Sequence, residues 1–253
     1  MIECPVSHPD LPHLFDPHVP NNPALWAVLQ GRHTGCAFVD VLPHPSQCVL
    51  YTDAVMTFPS RDAGAAIIAE VINKLIPNLP VWLIRPQSAP PAPGGYTRLP
   101  RLEFYDCDST STILAGYRAR LPIGFEMRLI DMALLQRCEW REDMRFFCGS
   151  LDNFLRNSLG MCMLRDDEII VEAYASALGG EFAEIEAITR EPFRGKGYAP
   201  IAVAFLIDAL EARGYHSYWS CDVDNTASAR VARKLGFRIE KPYEIWEYKP
   251  ETV

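Results

Sequence analysis

The sequence predicts an α/β protein in two unequal parts, on three observations. Along the chain, segments of alternating apolar residues trade places with segments whose apolar residues recur every three or four positions, the periods of strand and helix. Two helical segments run into glycine, at Gly214 and Gly236, where a left-handed C-cap belongs. Proline divides the chain, with 16 of its 21 copies within residues 1–100, so the first part is cut into short elements and the second is free to form longer ones.

In the first part, residues 23–30 read as a short helix. Residues 36–42 and Cys48–Thr52 read as strands flanking the turn PHPSQ, and residues 62–75 repeat apolar positions at helical spacing. Strands follow at Val81–Arg85 and residues 101–105 around the loop PQSAPPAPGGYT. The polar stretch DCDSTST marks a seam, and the alternating GYRARLP beyond it opens the next lobe, which puts a boundary near residue 115: a lobe over 1–115 and a larger domain over 116–253. In the second part, residues 130–138 and 151–159 read as helices. Residues 161–164 and 169–175 are strands about the turn RDDE, and Phe182–Thr189 is a further strand. Residues 199–213 form a helix, His216–Asp222 a strand, residues 225–235 a helix and residues 237–248 a final strand. No internal repeat is evident.

The 253 residues are 49% hydrophobic and 22% charged, which excludes a disordered, collagenous or coiled-coil chain. With 24 Lys+Arg against 32 Asp+Glu the net charge is -8 and no basic run exists, so the footprint of a nucleic-acid or anionic-membrane binder is missing, and a cationic or neutral substrate is easier to attract. The apolar run from Ile201 to Ile207 ends at Asp208, far short of a bilayer span. The first twenty residues lack a basic segment and place prolines where a signal peptide would be apolar, so the expectation is a cytoplasmic protein. Its 8 cysteines form no Cys-x-x-Cys pair and are expected as free, mostly buried thiols. His8, His13 and His18 recur every five residues, but intervening prolines keep them off a common helical face, and no metal site is expected.

The chemistry concentrates in AEIEAITREPFRGKGYAPIAVAFLIDALEARG. Arg194, Gly195, Lys196, Gly197, Tyr198 and Ala199 sit where a strand has ended and a helix begins, so successive N–H groups point out of the turn beside the positive end of the helix dipole. Glycines at 195 and 197 permit positive φ and close approach of a diphosphate to the main chain. The loop is neither a Walker loop, because Gly197 follows Lys196, nor a dinucleotide fingerprint, because position 200 is Pro.

Arg194, Gly197 and Ala199 fit Gln/Arg-x-x-Gly-x-Gly/Ala. Some thirty residues later Asn225-Thr-Ala-Ser228 leads into Arg233-Lys-Leu-Gly-Phe237. In these features residues 120–250 resemble the GNAT superfamily of acetyl-CoA-dependent N-acetyltransferases. The wording WSCDVDNTASARVARKLGF and LDNFLRNSLGMCML is most similar to the branch containing the zwittermicin A resistance acetyltransferases. The resemblance implies a mixed, twisted sheet that splays between its fourth strand, Phe182–Thr189, and its fifth, His216–Asp222. Main-chain groups of Ala187, Ile188 and Thr189 would then pair with pantetheine, and the amides of Gly195, Lys196, Gly197, Tyr198 and Ala199 would hold the pyrophosphate. Asn225 and Ser228 would contact the cosubstrate from the other side, and Asn225 also reads as a helix N-cap.

Acetyl transfer to an amine needs a base. Strand alternation puts Phe182, Glu184, Glu186 and Ile188 on one face, so Glu184 and Glu186 both border the expected acceptor site, with Glu184 at the position the resemblance favours. Two neighbouring carboxylates raise one another's pKa. Many relatives carry a Tyr five residues before the Phe of Lys-Leu-Gly-Phe to protonate the thiolate; here that position is Ala232, leaving Tyr243, Ser220, Cys221 or water. The reading is an N-acetyltransferase acting on a small-molecule amine. A non-catalytic acyl-CoA-binding regulator and a protein-modifying acetyltransferase stand as alternatives, and neither nucleic acid nor membrane is an expected partner.

Overall fold

In a computed structural model, residues 1–85, 95–108 and 110–249 are described; most of the proline-rich loop read between strands lies outside them, at 86–94, as does Ser109 of the polar seam. The first half runs β1 (Ile2–Cys4), α1 (Leu11–Leu14), α2 (Asn22–Leu29), β2 (Gly35–Val39), β3 (Cys48–Thr52), β4 (Met56–Pro59), α3 (Ala65–Glu70) and β5 (Val81–Arg85). It is followed by β6 (Thr97–Tyr105), α4 (Thr112–Arg118), β7 (Phe125–Leu129), α5 (Met132–Leu135), α6 (Arg141–Cys148), α7 (Leu151–Asn157), β8 (Gly160–Arg165) and β9 (Glu168–Gly179). The chain closes with β10 (Phe182–Thr189), α8 (Tyr198–Glu211), β11 (His216–Asp222), α9 (Thr226–Leu235) and β12 (Ile239–Tyr248).

One mixed sheet joins all these strands in the order β1-β2-β3-β4-β5-β12-β6-β11-β10-β9-β8-β7. The order is a palindrome in function: β1 to β5 on one side answer β7 to β11 on the other, each half carries its helices between its first and second strands, and each crosses by a helix from its fourth strand to a parallel fifth. The halves then exchange strands. β6, which follows the first half, pairs with β11 of the second, and β12, which ends the second, pairs with β5 of the first. The sequence shows no repeat, but the topology is a repeat with swapped ends. The boundary read near 115 falls inside α4, and β6 before it lies in the sheet between β11 and β12, so the sheet is continuous across that point.

The first three residues of the alternating GYRARLP, 116–118, are the end of a helix, and the rest is turn and loop. Ser111 caps α4 by accepting the Leu114 N–H at 3.3 Å, and wholly buried Leu114 joins the core under α8, so capping and burial override the two-residue pattern. β4, β7 and α6 lie on segments given no element from sequence: β4 is four residues long and mostly buried, β7 is partly exposed, and α6 makes two turns.

Two layers position the site. Against one face of the sheet lies α8, whose Ile201, Leu206, Ile207 and Leu210 are buried with Ile170, Ala173, Ala183 and Ile185; each such aliphatic side chain contributes roughly 1.5–3 kcal/mol. On the other side α2 of the first half packs with Ala177 of β9. This approach needs Gly179, where a Cβ would stand 2.1 Å from the Pro23 carbonyl oxygen and 2.3 Å from the Ala27 nitrogen. Ala183 and Ile185 therefore face α8, while Glu184 and Glu186 turn the opposite way.

Candidate active site

The glycine loop is built as an open cradle. Gly195 and Gly197 have φ of +76° and +79°, Gly197 is the N-cap of α8, and a Cβ at either would meet nothing within 4 Å. A cavity of about 250 Å3 lies against it, lined by Gly195, Gly197, Tyr198 and Ala199 and, from α9, by Arg230 and Lys234. Helix dipole, main-chain amides and the two added cations are the groups that could hold an anion here. Arg194 turns back to donate Nε–H to the Thr189 carbonyl at 3.0 Å, and Lys196 Nζ lies 5.2 Å over the ring of Phe193, which lines that cavity, without lining it itself.

Beside the cradle the sheet splits. β10 and β11 pair only from Phe182↔His216 to Glu184↔Tyr218, and from Ile185 onward β10 has no partner on that edge. Arg190 gives its N–H to Ile170 on the β9 side, so alternation turns the main-chain groups of Thr189 and Ala187 to the open edge. The opening is a cavity of about 470 Å3 between Glu186, Ala187, Ile188 and Thr189 on one lip and Trp219, Ser220, Cys221 and Asp222 on the other. Arg194, Gly195, Ala199, Asn225 and Ser228 line its cradle end. Asn225 is indeed the N-cap of α9, accepting the Ser228 N–H at 3.1 Å, and the Ser228 hydroxyl accepts from Trp219 Nε1 at 2.9 Å.

At the other end the two carboxylates part company. Glu184 is 3% exposed and lines not the cleft but a water-sized cavity against the first half. Its Oε1 accepts from Asn21 Nδ2 at 2.8 Å and from the Ser220 hydroxyl at 2.7 Å. Burial raises its pKa, against these two bonds and the nearby Arg101. Glu186 is half-buried and lines the cleft. Burial, then the charge of Glu184, push its pKa up to about 8. A bulge helps set this pair: Glu184 faces Ala177 and Ile185 faces Ala175, leaving Ser176 extra on β9, and its hydroxyl donates to the Glu184 carbonyl and bonds the Glu186 carboxylate.

Several contributors carry no sequence signal. Arg101 arrives on the exchanged strand β6 and lies across the split from Glu186. Its Nη1 donates to Asp222 at 2.7 Å, Nη2 to the Ser220 hydroxyl at 3.1 Å and Nε to the Tyr243 hydroxyl at 3.3 Å. Asn21, with φ of +54°, comes from the cap of α2 in the first half. Trp140 walls the cleft because wholly buried Glu172 accepts the N–H groups of Glu139 at 2.7 Å and Trp140 at 3.0 Å. These proximities come from strand exchange and long-range packing; only the alternation of β9, which makes Glu172 an inward carboxylate, was visible along the chain. Ala232 is fully buried and presents no polar group.

Fold and cleft together define an α/β protein of acyltransferase type. The sequence model of the GNAT acetyltransferase family matches residues 95–246, and the chain belongs to that family. It is 28% identical over 130 residues to the uncharacterized N-acetyltransferase YdfB of Bacillus subtilis (strain 168), a match over 50% of this chain and 49% of that protein. The chain thus spans about half the length of the curated relative it matches. Among solved structures, a GCN5-related N-acetyltransferase-like protein from Streptococcus suis 89/1591 superposes with a TM-score of 0.69 at 24% identity over 94% of this chain and 97% of that one. A tandem GNAT protein from the clavulanic acid biosynthesis pathway gives 0.65 at 12% identity, over 98% and 94%. Both likenesses concern the fold, and the second fits the doubled topology.

Proposed function

We propose that the protein transfers an acetyl group from acetyl-CoA to the amine of a small molecule, with Glu186 as general base. The observation that carries the reading is that one cavity holds both an anion cradle and, at its far end, a half-buried carboxylate of raised pKa. The residues fit acetyl-CoA. The cradle has open space where a side chain would be, Arg230 and Lys234 face the diphosphate position, and the free edge of β10 offers the Ala187 and Thr189 main chain to the pantetheine amides. When bound, acetyl-CoA supplies a thioester carbonyl open to attack.

Glu186 takes the proton of the incoming ammonium, a task for which a base near neutral pH is suited and an ordinary carboxylate is too weak. Glu184 sits behind it, holds its pKa up and stays out of the cleft. The acceptor end combines Glu186 and Trp140, groups that favour a cation of modest size, in keeping with the small amines that the likeness to the zwittermicin A resistance branch suggests. No helix among the described residues is long and apolar enough to cross a membrane. All 8 cysteines are free thiols, which suits the reducing cytoplasm as the place of action.

The test is thiol release from acetyl-CoA over a panel of small amines, peptides and no acceptor, with products weighed by mass spectrometry. Amine-dependent release with a gain of one acetyl group is expected. Release with peptides only would make the protein a protein-modifying enzyme, and binding without release a regulator.

A further inference from the structure

The reaction ends by expelling an anion, the departing thiolate, and the cleft has no ordinary acid for it. Burial raises the Cys221 thiol pKa and pushes the Tyr243 phenol up to about 12, the Ser220 hydroxyl is already given to Glu184, and Ala232 has nothing to give. What the opposite lip does hold is a cation. Resting on the function proposed above, we propose that Arg101 stabilises the leaving thiolate electrostatically and so replaces a general acid.

The guanidinium is fixed on three sides, by Asp222, Ser220 and Tyr243, and its side chain is 19% exposed, toward the cleft. Three of its five N–H bonds are spent on these partners, leaving two with no protein acceptor among the described residues. A cation held before the reaction begins loses nothing to reorganisation when charge develops, the arrangement in which electrostatic stabilisation is most effective. The balance is complete. The ammonium gives its first proton to Glu186, which passes it to solvent; the amine nitrogen then forms a bond to the carbonyl carbon, the carbon–sulfur bond breaks with its electron pair on sulfur, and the second proton from nitrogen passes to the regenerated Glu186 carboxylate. The thiolate leaves beside Arg101 and is protonated by Glu186 or solvent, giving amide and free CoA thiol.

Ser220 ties the two devices together, since it accepts from Arg101 and donates to Glu184. Of the charged groups around the cleft, Arg101 on β6 and Arg194 on the loop favour a thiolate, and Glu186 on β10 and Asp222 on β11 oppose one. The sulfur's ionisation therefore reports which neighbour it has.

The decisive measurement uses the unaltered protein. CoA is bound, its thiolate is followed by ultraviolet absorbance against pH, and the complex with desulfo-CoA is subtracted to remove the protein's own cysteines. The bound thiol should titrate lower than free CoA by about one unit or more, as beside a fixed cation. An unshifted or raised value overturns the proposal, whereas absence of CoA binding would instead overturn the function proposed above. Arg101→Gln, if folded, should lose roughly 10²-fold or more in kcat with acetyl-CoA, as for a lost oxyanion donor. It should keep its KM for the amine, and lose much less with an acetyl aryl thioester, whose thiolate needs no help. Equal losses with both donors, or a loss confined to the amine KM, would overturn it.

Discussion

Replacing Glu186 by Gln keeps the shape of the side chain and removes its ability to take a proton. With the carboxyl pKa pushed up to about 8, only about a tenth of the protein carries an ionised Glu186 at pH 7. The wild-type kcat should therefore climb about tenfold from pH 7 to a plateau above pH 9, measured with an acceptor whose own amine titrates below pH 6 so that only the enzyme changes. A positioned base contributes ~10²- to 10⁴-fold, so Glu186→Gln should fall by that much on the plateau and show no rise through pH 8. Its affinity for acetyl-CoA, by calorimetry, should stay within about twofold, because the cradle lies at the other end of the cavity. Thiol release with a colorimetric disulfide follows both. A variant that retains the rise through pH 8 would refute the assignment; if Glu184→Gln loses it instead, the base is the buried carboxylate one pleat away.

The same raised pKa affects stability: a carboxyl that titrates higher folded than unfolded costs nothing near pH 4 and progressively more as pH climbs to 8. Glu186→Gln should thus melt above wild type at pH 8 to 9 and level with it near pH 4, by calorimetric scans. Gly197→Glu places a carboxylate in the cradle at a positive φ, and isothermal titration should find acetyl-CoA binding abolished with the circular dichroism spectrum intact. Gly179→Ala drives a methyl group to 2.1 Å from the Pro23 carbonyl oxygen, so α2 must move off β9; a loss of roughly 3 kcal/mol or more in urea unfolding is expected. Titration should give one acetyl-CoA per chain, since the first half's turn between β4 and α3 ends in Gly64 at φ of -74° and holds no left-handed glycine.

What the sequence disclosed follows from which forces are local. β3, β5, β10 and β11 stand within the residues their apolar runs mark, and the glycine loop with its helix is where the spacing of Arg194, Gly197 and Ala199 puts it. Elements fixed by distant packing were not legible. The start of the alternating stretch, residues 116–118, is the end of α4, a helix held by buried Leu114 and the cap of Ser111. Alternation did place Glu184 and Glu186 on one face, but nothing along the chain says that Asn21 closes over Glu184 and leaves Glu186 open. Arg101 stood as the first residue of an ordinary strand, and its role depends on that strand's entering the other half's sheet.

That exchange changes what the first half is for. Its own fourth-to-fifth-strand crossing lacks a cradle, yet it is no mere cover for the acceptor. It supplies Asn21, which holds Glu184, and leads into β6, which brings Arg101 to the lip. β6 is hydrogen-bonded to β11 on one side and to β12 on the other, and β12 in turn closes the first half's sheet at β5. Cutting the chain at residue 115 would leave β11 with an unpaired edge along the lip of the cleft, with Ser220 and Asp222 deprived of the guanidinium that orients them. Glu186 and Arg101 thus face one another across the cleft only because the two halves have traded strands. The strand exchange that joins the two halves in one sheet is also what brings Arg101 to the lip opposite Glu186.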